Sequence, residues 1–309
     1  MTIVVAGSTG LVGSAIMRDL NRRGESAIGI NRNVVDLLDR EATFEFIKAA
    51  KPQLVIDAAA IVGGIAANNS FPVDFLSKNL QIQSNLMDAS HYADVERFVF
   101  LGSSCIYPRD SKQPIKEEYL LTGPLEQTNS AYAVAKIAGI ELIKSYRKQF
   151  NRRWISLMPT NMYGPFDNFN PETSHVLPAF IQKFSKAFAN NESTITLWGS
   201  GISRREFMHV DDLVSAIRIV ADKYDSSMQL NVGTGLDISI SELAELMKEM
   251  TGFKGNIHWD KSKPDGTPRK VLDVSKIKNL GWEPEISLRD GIASTVEWYK
   301  ENLTGFVKG

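Results

Sequence analysis

The stretch MTIVVAGSTGLVGS (residues 1–14) joins a short apolar run, 3–6, to an amphipathic segment, 12–23, through three glycines spaced G-x-x-G-x-x-G. The apolar run reads as a buried strand and the amphipathic segment as a helix. Gly7, Gly10 and Gly13 allow a tight turn and a close approach of backbone to a pyrophosphate. The helix N-terminus adds free N–H groups and a partial positive charge. Alone the glycine pattern is weak, because an ordinary strand–helix turn can carry it. Its place directly after an N-terminal strand makes it a dinucleotide-binding fingerprint, with Ser8, Thr9, Leu11 and Val12 filling the turn.

The same alternation continues along the chain. Strands are expected at 27–30, 54–58, 97–101 and 154–158, and helices at 43–50, 75–90 and 131–149. Such βαβ alternation predicts an α/β fold, a Rossmann-type doubly wound parallel sheet with helices on both faces. After Pro159 the pattern changes. Residues 163–175 (YGPFDNFNPETSH) are rich in Pro, Asn and Gly and read as a loop. Helices follow near 176–189, 211–222 and 241–251, with short strands at 194–198 and 230–233. The expected organisation is a cofactor-binding Rossmann domain over 1–162, with a return segment at about 207–235. A smaller C-terminal α/β substrate domain takes 163–206 and 236–309.

Composition narrows the partners. The net charge of −1 over 309 residues gives no basic surface for nucleic acid or anionic lipid. An anionic ligand must therefore be held by a few placed cations. The one cysteine, Cys105, cannot form an internal disulfide, which suits a reducing cytosol. The N-terminus lacks the features of a signal peptide. No apolar run approaches the roughly eighteen residues that span a bilayer. A soluble cytoplasmic protein without a metal is expected.

Two further features bear on chemistry. The second strand ends at Asn31-Arg32, where NAD enzymes carry an acidic residue for the ribose 2′-hydroxyl. A cation there favours NADP, with Arg32 gripping the 2′-phosphate; the plainer reading is a solvated loop arginine. Tyr132 and Lys136, four apart, share one face of the helix after the fourth strand, and that strand leads into Ser103-Ser104. Carbonyl reduction needs hydride at carbon and a proton at oxygen. A phenol with a pKa of about 10 is sluggish at neutral pH, and the Lys136 ammonium is expected to lower it. Lys136 can also hold the nicotinamide ribose, and Ser103 can steady the developing alkoxide.

GSTGLVG with Ser103, Tyr132 and Lys136 resembles the extended short-chain dehydrogenase/reductase family over nearly the whole chain. Longer segments narrow the resemblance: AAIVGGIAANNSFP (59–72), LGSSCIYP (101–108), SAYAVAKIAGIE (130–141), MPTNMYGPFDNF (158–169), SHVLPA (174–179), WGSGISRREFMHVDD (198–212) and KPDGTPRKVLDVS (263–275). These are similar to the GDP-L-fucose synthase family, whose members are GDP-4-keto-6-deoxy-mannose 3,5-epimerase/4-reductases. The resemblance implies NADPH as cofactor, held also by Leu101, Gly102, Ser104, Pro159, Thr160, Asn161, Met162 and His175. It implies Cys105 as epimerisation base and His175 as acid. It places the GDP end of the sugar nucleotide on Lys183, Trp198, Arg205 and an acidic residue, preferably Asp273 rather than Asp265. It implies a homodimer packed through helices that include the Tyr132 helix. Tyr163 is expected beside Asn161 and Met162 on the nicotinamide wall. A departure is Ser8-Thr9, where some members carry a basic residue, so Arg32 has more to do.

The residues also support Cys105 and His175 directly. Residues two apart in an extended segment point the same way, so a thiol can face the sugar beside Ser103. A thiol of about 8.5 and an imidazole of about 6.5 suit the removal and return of protons next to a carbonyl. Other readings are the same chemistry on another GDP-4-keto sugar, such as a 6-deoxy-heptose; an NAD-dependent nucleotide-sugar 4-epimerase; and an NADP-binding sensor without catalysis. A 4-epimerase needs neither Cys105 nor His175, and a sensor does not need Ser103, Tyr132 and Lys136 intact.

Overall fold

A computed structural model describes residues 1–303 except 171, 172 and 264. Expectations that reach 171, 172, 264 and 304–309 lie outside the described residues. Six strands form the central sheet: β1 (Thr2–Ala6), β2 (Ser26–Ile30), β3 (Leu54–Asp57), β4 (Arg97–Leu101), β5 (Ile155–Pro159) and, late in the chain, Leu230–Val232. Their order is β2-β1-β3-β4-β5 followed by Leu230–Val232, and every pair is parallel. β3, β4 and β5 are buried along their whole length, which is why they read as continuous apolar runs. The sequence runs outward from β1 in both directions, so a crevice opens where β1 and β3 end.

Helices α1 (Leu11–Arg22), α2 (Arg40–Ala50), α4 (Asn79–Tyr92) and α5 (Ser130–Phe150) cover this sheet together with a later helix, Val210–Lys223, while the short α3 (Ile65–Ser70) lies against the 3-10 turn Gln127–Asn129. The helix expected from 75 begins as a wider turn, Asp74–Lys78, before α4. α1 has Gly10 at its N-cap and no side-chain cap, so its first N–H groups stay free. By contrast α2 is capped by Asp39, which accepts from Ala42 N at 3.0 Å.

The C-terminal half contains β6 (Asn161–Tyr163), α6 (Val176–Ala189), β7 (Thr194–Trp198), β8 (Arg204–His209), α7 (Val210–Lys223), β9 (Leu230–Val232), β10 (Asp237–Ser239), α8 (Ile240–Thr251), β11 (Asn256–Asp260), β12 (Arg269–Lys270), α9 (Ser275–Asn279) and α10 (Leu288–Leu303). β8 is the centre of a small sheet: it pairs with β10, β12 and β6. Its RRE opening masks the strand in the sequence. A second core gathers Phe180 and Phe184 of α6, Leu243 and Met247 of α8, and Ile292 and Val296 of α10.

One segment packs elsewhere than the expected division places it. Leu272, Val274, Ile277 and Trp282 pack into the first core, not the second. α9 lies against β9, so the segment after β12 packs with the six-stranded sheet. An alternating stretch this short carries no signal of which core it joins.

Candidate active site

One cavity of about 1090 Å³ runs from the glycine turn, past the C-terminal ends of β4 and β5, to the small sheet around β8. Its cofactor end fits a dinucleotide. Gly7 holds φ +77°, and a Cβ there would stand 2.7 Å from Ala58 O, so only glycine lets β1 turn beside β3. Gly13 presses on the turn: a Cβ would stand 2.1 Å from Gly7 O. Gly13 thus packs α1 onto β1 and does not line the cavity. Neither does Ser8, whose N–H and Oγ both donate to Ile30 O, at 2.9 and 3.1 Å. It ties the turn to β2 in place of a ligand contact. Gly7, Thr9, Gly10, Leu11, Val12 and Arg32 do line the cavity. Arg32 is exposed and, among the described residues, makes no ion pair.

Leu101, Gly102, Ser103, Ser104 and Cys105 enter the wall where β4 ends and the chain makes a short 3-10 turn, Ser104–Ile106. Pro159, Thr160, Asn161 and Met162 enter from the end of β5. Tyr163 does not. Its ring is buried in the second core, edge-on to His209 at 5.5 Å, and its hydroxyl approaches Leu288 O at 3.5 Å. The alternation of β6 sends neighbours to opposite faces, so Tyr163 leaves the wall that Met162 lines.

Tyr132 and Lys136 project from one face of α5. Lys136 is buried, donates to Leu101 O at 2.8 Å, and lies 4.8 Å from the Phe100 ring and 5.9 Å from the Tyr132 ring. Burial pushes its ammonium down to about 8, with the Asp57 carboxylate pulling the other way. The expected lowering of Tyr132 does not appear. Burial raises the phenol, negative charge at Cys105 and Asp57 adds to the rise, and a hydrogen bond with Ser103 works against it. Tyr132 therefore rests as a protonated phenol, the form a proton donor needs.

Asp57 was not singled out from the sequence. It ends β3, opposite Ala6 and Phe100, fully buried. Oδ1 accepts from Ala59 N at 3.1 Å, and Oδ2 has no partner. Burial raises its carboxyl to about 6 against the pull of Lys136. A lone acid closing the apolar run LVID was the available signal.

Cys105 and His175 face the same cavity. Asn129 Nδ2 and Lys270 Nζ approach the Cys105 sulfur at 3.4 and 3.5 Å. His175 stands at the N-cap of α6, open to the cavity yet ringed by protein. Burial pushes its imidazole down, and the Lys270 cation adds to this, so it is neutral at neutral pH.

At the far end lie Lys183, Trp198 and Arg205. Lys183 donates to Thr196 O at 2.7 Å. Trp198 is 60% exposed, an indole face available for stacking. Arg205 donates to Arg204 O at 2.9 Å and Asp265 O at 3.3 Å, while Arg204 turns away to Asp237 and Glu242. Asp273 is not at the cavity: its Oδ1 accepts from Ser275 N and Oγ, at 2.9 and 2.5 Å, at the start of α9. Asp265 does line the cavity, accepting from Ser200 N and Oγ at 2.7 and 2.8 Å. Lys270 and Asn129 were also missed.

Residues 3–233 match the model of the NAD dependent epimerase/dehydratase family. The chain belongs to that family. Within the NAD dependent epimerase/dehydratase family it groups with GDP-L-fucose synthases. It is 52% identical to a putative GDP-L-fucose synthase 2 of Arabidopsis thaliana, over 97% of this chain and 92% of the relative. It is 47% identical to the GDP-L-fucose synthase of Escherichia coli K12, over 98% of each. Among solved structures it resembles a GDP-mannoheptose C4 reductase from Campylobacter jejuni with NADP bound, at TM-score 0.89 and 36% identity, over 97% of this chain and 98% of that one. Among the described residues no helix is long and apolar enough to cross a membrane, and no cluster could hold a metal ion.

Proposed function

We propose that this chain converts GDP-4-keto-6-deoxy-D-mannose to GDP-L-fucose, epimerising C3 and C5 and then reducing the 4-keto group with NADPH. The observation that carries this reading is the meeting of Cys105 and His175 with Ser103, Tyr132 and Lys136 on one cavity. A plain reductase has no use for the first two. The relatives at 47% and 52% identity support the choice of sugar. A second reading, the same chemistry on a GDP-4-keto heptose, draws on the likeness to the Campylobacter jejuni reductase.

In this reading the glycine turn holds the pyrophosphate, Arg32 the 2′-phosphate and Lys136 the nicotinamide ribose. NADPH, when bound, supplies the hydride to C4. Lys183 and Arg205 grip the diphosphate, Trp198 stacks on the base, and Asp265 accepts from hydroxyls. The Cys105 sulfur takes a proton from C3 or C5, and the electron pair of that C–H bond moves onto the keto oxygen. Tyr132 and Ser103 hydroxyls donate to that oxygen, which carries the charge. His175 then delivers a proton to the opposite face of the carbon. Its resting imidazole is neutral, so it first takes a proton from solvent. Diphosphate and enolate bring the negative charge that offsets Lys270 and allows this. During the final reduction Tyr132 gives its phenolic proton to the same oxygen, and Lys136 bears on the phenolate left behind. The reading includes a cytoplasmic homodimer packed through helices that include α5.

The test mixes the protein with GDP-4-keto-6-deoxy-mannose and NADPH and follows absorbance loss and product stereochemistry. GDP-L-fucose is the expected product. No NADPH oxidation, with GDP-4-keto heptoses consumed, moves the assignment to the second reading. Cys105→Ser should abolish solvent-deuterium entry at C3 and C5. Tyr132→Phe should slow reduction by roughly 10²–10⁴, the usual worth of a general acid. Equal loss of both activities in both variants, with folding intact, overturns the separate roles.

A further inference from the structure

Two N–H donors converge on a single sulfur. Asn129 Nδ2 stands 3.4 Å and Lys270 Nζ 3.5 Å from Cys105 Sγ. An ammonium has no acceptor, and the Asn129 amide presents its NH₂ group, so the S–H of a thiol finds no taker in either. Both donors are satisfied by a sulfur that accepts, and a thiolate accepts far better than a thiol. Among the described residues Lys270 forms no ion pair with a carboxylate, and the sulfur is its one hydrogen-bond partner. Lys270 is held in place by the small sheet: β12 runs beside β8 with Lys270 opposite Arg205. Asn129 immediately precedes α5, three residues before Tyr132.

We propose that Lys270 is a positioning residue for epimerisation, holding the Cys105 sulfur in its proton-accepting form and, with Asn129, fixing where it points. The proposal rests on the reading of Cys105 as the epimerisation base. The same cation faces His175 and disfavours its protonation. A single lysine thereby bears on both groups, in contact with the sulfur and set against a proton on the imidazole. The other groups that bear on the sulfur are Arg205 from β8 and the Tyr132 phenol from α5. Glu126 and Asp265 act on Arg205, and Asp57 acts on Tyr132. Of these, Lys270 is the cation in direct contact. In the step it serves, the sulfur gains the proton, the C–H bond breaks, and its electron pair becomes the enolate. The thiol then returns its proton to solvent and Lys270 restores the starting form.

Cys105 is the chain's single cysteine, so alkylation by iodoacetamide reports on one site. We expect Lys270→Met to slow alkylation at neutral pH about tenfold, as a reduced thiolate fraction requires, and to move the rise of the rate to higher pH. Lys270→Arg should restore most of the rate, and Lys270→Gln should behave as Lys270→Met if the latter folds poorly. Superimposable rate–pH profiles for wild type and the two neutral variants, folding checked by circular dichroism, overturn the proposal. Solvent-deuterium entry into GDP-4-keto-6-deoxy-mannose separates this from the functional reading. Wild type that alkylates as expected but exchanges no deuterium sinks the epimerase reading. Wild type that exchanges, with Lys270→Met alkylating and exchanging at full rate, sinks the role of Lys270.

Discussion

Asp57 sits two residues before Ala59 in a strand that is otherwise apolar, and its charge is opposed mainly by desolvation. Its folded carboxyl titrates near about 6 against an ordinary 3.8, which corresponds to about 3 kcal/mol of stability. The sign follows from proton binding. The folded state holds this proton more tightly, so the contribution is full below the ordinary carboxylate range and is lost as pH rises through about 6. Asp57→Asn keeps the acceptor for Ala59 N and never ionises. Its denaturation midpoint should therefore gain on wild type between acid and neutral pH. The same substitution removes the anion that holds up Lys136. The Lys136 ammonium, now near about 8, should lose its proton at lower pH, and the alkaline limb of reductase kcat should shift downward. Denaturant titrations at two pH values and a kcat profile check both. An unmoved limb removes Asp57 from any influence on Lys136. Nothing periodic marks such a residue: one acid at the end of LVID reads as the edge of a strand, and its depth is a tertiary fact.

The glycine turn was legible because it is local: strand, turn and helix lie within the first 22 residues. Its glycines divide by role. At Gly13 an added Cβ meets Gly7 O at 2.1 Å, Gly7 C at 2.6 Å and Ser8 Cα at 2.9 Å, all backbone atoms that cannot step aside. At Gly24, after α1, there is open space but φ is +69°. Gly13→Ala should cost at least about 3 kcal/mol through overpacking and displace α1 from the turn. Gly24→Ala should cost about 1 kcal/mol through backbone conformation alone. Urea unfolding with NADPH titration checks this. Gly13→Ala is expected to weaken both folding and NADPH affinity, Gly24→Ala folding only. An affinity unchanged in Gly13→Ala would show that the turn does not need α1 packed against it. The less local elements were harder to read. β8 opens with three charged residues, and β12 is two residues long, so neither shows period 2 over a useful window. Asp265, Lys270 and Asp273 follow each other within nine residues of KPDGTPRKVLDVS. Their tertiary placement, with β12 paired to β8, decides that the first two face the cavity and that the third turns to Ser275 at the start of α9.

Buried polar residues join distant parts of the chain. Asn231 on β9 is fully buried, donates to Ile115 O at 2.9 Å and Asp273 O at 3.1 Å, and accepts from Tyr107 Oη at 2.6 Å. Glu206 on β8 is also fully buried and accepts from Gly235 N and Leu272 N, each at 2.8 Å. Both need the segment after residue 270. The match to the family model ends at 233, and the apolar rhythm suggested a return segment ending near 235. A fragment of residues 1–235 nevertheless leaves Glu206 and Asn231 short of partners and removes Leu272, Val274, Ile277 and Trp282 from the first core. An unsatisfied buried carboxylate and amide each cost about 1–3 kcal/mol, and the lost apolar contacts add more, against a typical total of about 5–15 kcal/mol. The fragment should therefore keep helical far-UV signal, lose near-UV signal and bind NADPH weakly or not at all. The whole chain should unfold in one transition by both probes. A fragment that melts cooperatively and binds NADPH with full affinity would show that the cofactor half is independent of the segment that carries Lys270.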